Sequence, residues 1–534
     1  MCVGFVAELP KKDSCRFSTF LLWLQSVQIP PHLRVQKYNK KLNIKNSELK
    51  IIIFITFVQL KNQTYRYMKY IILSIMALAQ VAFVSARTTY NIKDYGAKGN
   101  GKTSNTVAIN NAIKACNEAG GGIVLVPAGK YLSGTIEMLD NVELRLAEGA
   151  ELIASLDLSD YKHYQCLRND FMKYKVAYTE YWNRSFILAQ RVSNIAITGD
   201  GVINSNHLVD PNGEGHSRGP HCVMLGEVDG VTIRGIHITE ASNYGVMGYE
   251  VKNATFDNVT FTKGHDGIHL RGAKNLMIRN CSFETGDDCI AGGYWENAVI
   301  KNCYINSTCN GIRIIFPVKD MEISHCEFKG PGKYVQPHLP KLTGKMMAAV
   351  IIQPGAWWDA IGGVEDVYVH DLTMDCVRCA FAADLKANTW SKNLVVERIK
   401  ATNVNYAALQ IESWKGGVYE DVTLRDIDVQ YNGRTDEKTK RELQMPTRES
   451  RTTPYWAMYV RNIKHLTMEN VNFTFTGEEH RTPIGIHNVA KIDMTNVKAQ
   501  QTDDKEMIHA VDCPLVPLAP SKNYIPITVP NNAQ

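Results

Sequence analysis

Beyond residue 86 this 534-residue chain carries no surplus of positive charge. Residues 1–86 hold 12 Lys+Arg against 3 Asp+Glu, which leaves 47 against 51 for the remainder, so the overall +5 belongs to the first segment alone. A slightly acidic remainder gives no basis for nucleic-acid binding. A cysteine framework is also missing. Eleven of the thirteen Cys follow residue 86, an odd number, at spacings that fit neither a disulfide scaffold nor a zinc site. Long helical periodicity is absent after about residue 118. The apolar stretch within residues 68–86 is too short for a comfortable membrane span.

That stretch begins Met68-Lys69-Tyr70 and ends Val84-Ser85-Ala86, which is the pattern of a secretory signal peptide. It predicts translation from Met68, residues 1–67 as a misplaced-start extension, and a mature single domain over 87–534. A secreted or periplasmic monomer with no stable membrane association after cleavage is expected. The competing reading is a membrane-anchored extension that uses this run and Ile51–Leu60.

What the chain does have is a repeat. Val228-Asp229-Gly230-Val231, Val251-Lys252-Asn253-Ala254, Ala273-Lys274-Asn275-Leu276, Trp295-Glu296-Asn297-Ala298 and Val318-Lys319-Asp320-Met321 share one pattern. Their third positions lie 23, 22, 22 and 23 residues apart. Short β-runs sit at one phase of it, among them Val142–Leu146, Ile195–Ile203, Val231–Ile238, Ala254–Phe261, Leu276–Phe283, Ala298–Ile305 and Met321–Phe328. Strands recurring in one direction at this period cannot form hairpins; they fit an all-β parallel β-helix, a solenoid of coils of about 22 residues. The marker Asn suits a left-handed turn and can hydrogen-bond along the axis. Cys281, Cys303 and Cys326 share a phase and read as an inward core stack. Val107, Ile109, Ile113 and Cys116 predict a helix near 104–118, stopped by Gly120-Gly121-Gly122, that caps the first coil. After an insertion at about 330–347 the repeat restarts at Val364-Glu365-Asp366-Val367, Ser391-Lys392-Asn393-Leu394, Gly417-Val418-Tyr419-Glu420 and Val460-Arg461-Asn462-Ile463. Residues 432–455 read as a solvated loop, and 514–534 as a Pro-rich tail.

Thirteen residues after the first four markers come Asn243, Asp266, Asp288 and Asn310, with Asp287 beside Asp288. Coil stacking brings three carboxylates together, and like charges at close range push their pKa values apart. Paired carboxylates in different protonation states are what glycosidic hydrolysis needs, one to protonate the leaving oxygen and one to activate water. A calcium site or a solvated Asp turn would show the same spacing.

The residues Tyr95-Gly96-Ala97-Lys98-Gly99-Asn100-Gly101, Asp266-Gly267-Ile268 and Gly286-Asp287-Asp288 resemble the glycoside hydrolase family 28, the polygalacturonase-like members of the pectin-lyase-like superfamily. The resemblance covers most of residues 90–430 and implies a right-handed parallel β-helix. It also implies inverting hydrolysis of a pectic bond, of galacturonate or rhamnogalacturonan type, with Asp287 as general acid and Asp266 and Asp288 activating water. No cofactor and no metal are implied, and the partner is a polysaccharide or oligosaccharide substrate. Where the family has Gly-His-Gly this chain has Cys309-Asn310-Gly311; where it has Arg-Ile-Lys this chain has Ile351-Ile352-Gln353. Asn310, Arg313, His269 and His265 are therefore the candidate substrate contacts, with Trp357 and Trp358 as the sugar-stacking pair. Two readings stand beside this one: a calcium-dependent uronate lyase or epimerase, and a non-catalytic carbohydrate-binding solenoid.

Overall fold

The computed structural model describes residues 87–167, 180–336, 346–434, 453–502 and 506–514, and three strands before residue 59. The chain divides into two units, 1–87 and 88–534. In the first, Cys2–Ala7 and Val35–Tyr38 each pair antiparallel with Ile51–Val58. Residues 68–86, read above as a signal peptide, lie outside the described residues, as do 337–345, 435–452 and 515–534. Among the described residues no helix is long and apolar enough to cross a membrane.

The second unit is a parallel β-helix, with 31 strands among the described residues. Val142–Leu146 is one strand as expected, whereas each of the six longer runs bends into two. Ala254–Phe261, for example, is the end of Val246–Asp257 followed by Thr260–Thr262. The corner is Asn258, whose φ of 56° is left-handed. Pairing between coils is in register: Ile268 with Ile290, and Ile290 with Ile312. All three isoleucines are fully buried. Phe261 stacks on Phe283 at 4.8 Å between centroids. The 22-residue period thus returns each apolar side chain to the same inward position, and one continuous core results. The helix lies at Thr106–Glu118, with Ala108, Ile109, Ala112, Ile113 and Cys116 buried in that core.

The marker residues behave as their chemistry requires. Asn253, Asn275 and Asn297 have φ of 51°, 57° and 56°. Asn275 donates to Asn253 at 2.8 Å, and Asn297 to Asn275 at 2.9 Å. Cys281, Cys303 and Cys326 are buried, and all eleven Cys after residue 86 are free thiols. Two markers are displaced: His465, which pairs with Asp421, stands in the column where the phrase at 460–463 put Asn462, and the phrase at 417–420 is shifted as well. Tyr419 pairs with Ser391, so Asp421 takes the position opposite Asn393 that the phrase at 417–420 assigned to Tyr419.

Candidate active site

The carboxylates sit in the turns that lead into one outward-facing sheet. Gly267 makes the first turn possible: a Cβ there would lie 2.5 Å from the Cys289 carbonyl oxygen. Ile268 and Ile290 then point inward, and the residues that follow them point out. Asp266 precedes Ile268 and Asp288 precedes Ile290 by the same two positions, so they occupy adjacent rungs, with Asn310 on the next. The first rung differs from the sequence expectation. Val246 pairs with Ile268, which puts Tyr244, and not Asn243, on the rung before Asp266. The extra residue of that 23-residue coil is taken up in the turn between Thr239 and Val246. Asn243 instead shares a column with His265, Asp287 and Cys309.

Each carboxylate has its own partners. Arg218 Nη2 donates to Asp287 Oδ2 at 2.9 Å, and Gln336 Nε2 to the same oxygen at 3.0 Å. The Asp288 amide donates to Asp287 Oδ1 at 3.1 Å. Asp288 Oδ1 accepts from the Asn310 side chain at 2.8 Å, and Oδ2 from Arg313 Nη1 at 3.5 Å. His269 Nδ1 lies 2.7 Å from Asp266 Oδ2. Arg271 Nε donates to His269 Nε2 at 3.2 Å. A guanidinium only donates, so His269 Nε2 accepts and the ring proton sits on Nδ1, directed at Asp266. All three carboxylates are at least nine-tenths buried as residues.

This environment separates the three groups. Burial, and then the neighbouring Asp287 and Asp288, hold Asp266 well above the usual carboxylate range. Burial acts on Asp287 too, but the Arg218 cation and then the Gln336 hydrogen bond outweigh it and keep that group low. Asp288 is raised by burial, with Arg313 opposing. Burial and the nearby Arg271 keep His269 neutral.

Trp357 and Trp358 complete the wall. They are 44% and 37% exposed, among the few large apolar side chains open to solvent. Arg313 lies over the Trp357 ring at 5.1 Å and Arg271 over Trp358 at 4.9 Å. The sequence candidates Asp266, Asp287, Asp288, Asn310, Arg313 and His269 are linked by these contacts, with both Trp beside them. His265 is buried in the column of Asp287. Arg218, Gln336 and Arg271 were not among the candidates. Arg218 and Gln336 lie in irregular segments with no repeat phase to mark them. Arg271 follows His269 by two and could have been read as the next outward position of its strand. Where the family has its Arg-Ile-Lys, Ile351 pairs with Arg313 and is buried, so the cations of this site come from Arg218, Arg271 and Arg313. Trp295 is core, its indole donating to the Leu270 carbonyl.

On the side of the earlier coils the groove is filled. Leu188, Met224 and Met247, successive rungs of the column that contains His269, are buried under Tyr164, Tyr244 and Tyr249. Tyr244 stacks on His269 at 4.9 Å, and Trp182 packs edge-on against Tyr244.

Comparison with known proteins accords with this architecture. A family model described as rhamnogalacturonase A/epimerase, pectate lyase-like, matches residues 89–313. An exo-poly-alpha-D-galacturonosidase of Dickeya chrysanthemi is 30% identical over 236 residues, 35% of this chain and 39% of that protein. A mannuronan C5-epimerase of Azotobacter vinelandii is 31% identical over 189 residues, 33% of this chain and 31% of that protein. These matches span less than half the length of either relative. Among solved structures, the family 28 exopolygalacturonase of Yersinia enterocolitica superposes with a TM-score of 0.53 at 18% identity, covering 80% of this chain and 77% of that one. The chain has the polygalacturonase-like right-handed parallel β-helix fold.

Proposed function

We propose that this chain is a secreted glycoside hydrolase that cleaves a pectic, uronate-containing chain with inversion, using Asp266, Asp287 and Asp288. The observation that carries the reading is the set of three buried carboxylates on adjacent rungs, held in unlike protonation states and ringed by three arginines. The arginines suit a substrate that is itself anionic. Trp357 and Trp358 offer ring faces for a sugar, with Asn310 and His265 as further polar neighbours of the cleaved unit. Among the described residues the aromatic fill closes the groove over the earlier coils, which favours attack at a chain end.

The acid role has two claimants. Resemblance points to Asp287. The resting charges favour Asp266, because Asp287 would have to take a proton against Arg218. In either case one carboxyl donates its proton to the glycosidic oxygen as that bond breaks, and an ionised carboxylate takes a proton from the water that attacks the anomeric carbon. Incubation of residues 87–534 with a panel of pectic backbones should yield new reducing ends, no unsaturated-uronate absorbance, and no sensitivity to chelator. Absorbance abolished by chelator would replace this reading with a metal-dependent elimination, the alternative that the epimerase relative and the close approach of Asp287, Asp288 and Cys309 favour. Binding without product would make the chain a carbohydrate-binding solenoid.

A further inference from the structure

The left-handed corner column that contains Asn258 continues along the solenoid. Toward one end Asn302 donates to Asn280 at 3.3 Å, and toward the other Asn496 donates to Asn470 at 2.9 Å. Between these amides, register places His325, Asp371 and Arg398 on consecutive rungs, with φ of 53°, 53° and 51°. Asn suits such a corner far better than Arg does, so the turn itself does not ask for this change of residue type. His325 comes before the insertion at about 330–347, and Asp371 after it. His370 precedes Asp371, is buried, and pairs with Ser324.

Among the described residues, two groups bring three metal-ligating atoms within 4.8 Å of one another. One is Asp287, Asp288 and Cys309 of the active site; the other is His325, His370 and Asp371. His325 Nε2 lies 3.9 Å and His370 Nδ1 2.5 Å from Asp371 Oδ2. Tetrahedral zinc with N and O ligands at ~2.0–2.1 Å needs those atoms about 3.3 Å apart, between the two values. The supports of such a site are also present. Arg398 holds both Asp371 oxygens, Nε on Oδ1 at 2.8 Å and Nη2 on Oδ2 at 2.9 Å. The Tyr368 ring stacks on His370 at 3.9 Å. His370 Nε2 lies 3.5 Å from Glu322 Oε1, and a metal-bound imidazole commonly gives its other N–H to a carboxylate.

The contacts of His370 Nδ1 conflict as they stand. Arg398 Nη2 lies 3.1 Å from it, beside the Asp371 oxygen. A protonated Nδ1 suits Asp371 and opposes the guanidinium; a lone pair suits the guanidinium and opposes Asp371. A cation shared by Nδ1 and Oδ2 removes the conflict, because both then present lone pairs to it. The charged groups linked here are four carboxylates (Glu322, Asp371, Glu397 and Glu469) against the guanidiniums of Arg398 and Arg425, a balance that favours a cation.

We propose that His325, His370 and Asp371 bind a divalent cation of borderline softness, zinc being the type, and that the ion clips the coil before the insertion to the coil after it. Two imidazoles select such an ion over calcium or magnesium, which prefer oxygen. The clip is separate from the carboxylate site and stands whether or not the chain cleaves a glycoside. In the coil of Asn302 the strand Tyr304–Ser307 separates this corner from Asn310, so loss of the ion should cost stability and leave the groove intact.

The test is calorimetric titration of zinc chloride into the chelator-treated full chain, with melting followed in parallel. Wild type should bind Zn²⁺ and melt a few degrees higher in excess ion. His325→Asn removes a ligand but keeps a residue suited to the corner, the one that Asn302 supplies one rung away, so it should fold normally. It should bind Zn²⁺ at least ~10-fold more weakly and lose most of the melting shift. Asp287→Asn should bind as wild type does, and calcium should not displace the zinc. Absence of binding by wild type would overturn the site, as would equal affinities of wild type and His325→Asn. Binding lost in Asp287→Asn and kept in His325→Asn would place the ion on the active-site carboxylates and overturn it too.

Discussion

Two ladders run along this solenoid, built by the same repeat and opposite in their energetics. Asn297 donates to Asn275, Asn275 to Asn253, and Asn253 to Asp229, so the middle amide both donates and accepts along the axis. A primary amide has both functions, so this ladder satisfies itself from within the repeat. Asp266, Asp288 and Asn310 occupy rungs of the same spacing. A carboxyl side chain lacks the amide's paired donor, so this stack draws on donors beyond Asn310. Asp288 takes Arg313, and Asp266 takes His269, itself held by Arg271, from the outward face of the strands, while Asp287 beside the stack takes Arg218 and Gln336 from outside the repeat. A repeat can carry a structural stack indefinitely, whereas a frustrated stack persists only where the surrounding loops compensate it, and such compensation is typical of functional sites.

The comparison can be tested by disabling either ladder. Asp287→Asn should lower kcat at least ~10³-fold with an unchanged circular-dichroism spectrum, whereas Asn275→Ala should leave kcat alone. An Asp287→Asn variant that turns over normally would remove that residue from the mechanism. Activated leaving groups then identify the acid. The variant of the acid regains turnover on an aryl galacturonide with a low leaving-group pKa, and the variant of a base does not. The resting charges predict that Asp266→Asn is the one rescued.

Removing an imported cation comes next in size. Arg218→Met leaves a buried carboxylate without its counter-ion and should destabilise the fold by roughly 3–5 kcal/mol, read from chemical denaturation. The double variant Arg218→Met/Asp287→Asn should recover most of that loss, and strict additivity would show that the pair is not coupled.

Asp266→Asn probes the same frustration through pH. A carboxyl raised in the folded state contributes stability that is present below its unfolded pKa and is lost as pH rises through the folded value. The variant should therefore melt a few degrees above wild type at neutral pH. The difference should shrink as pH falls toward the ordinary carboxylate range, and a constant difference would contradict the raised value. In wild type, activity should decline as pH rises and the acid loses its proton, and again at low pH as the base gains one.

The smallest effect belongs to the self-satisfied ladder. Asn275→Ala places a Cβ-bearing residue without a side-chain hydrogen bond at a φ of 57° and should cost about 1–2 kcal/mol. Asn275→Asp should cost less, but it should make stability salt-dependent, because it introduces into the structural stack the acceptor-only chemistry of the other.

The repeat, the inward phase of Ile268, Ile290 and Ile312, the left-handed marker Asn and the neighbourhood of Asp266, Asp287 and Asp288 were all legible in the chain. Each is a consequence of periodicity, and periodicity is local information. Legibility failed where a coil gained or lost residues. Asn243 was placed one column away from its true position because one extra residue entered a turn, and the phrase at 417–420 was misaligned by two for lack of any local sign of the shift.

What the linear order could not reveal was which charges face which. Arg218 reaches Asp287 across 69 residues and Gln336 reaches it across 49, from segments with no periodic signature. The repeat determined the solenoid and stacked three carboxylates on neighbouring rungs. Only tertiary structure decided their protonation, because a pKa is set by burial and by the nearest charge in space.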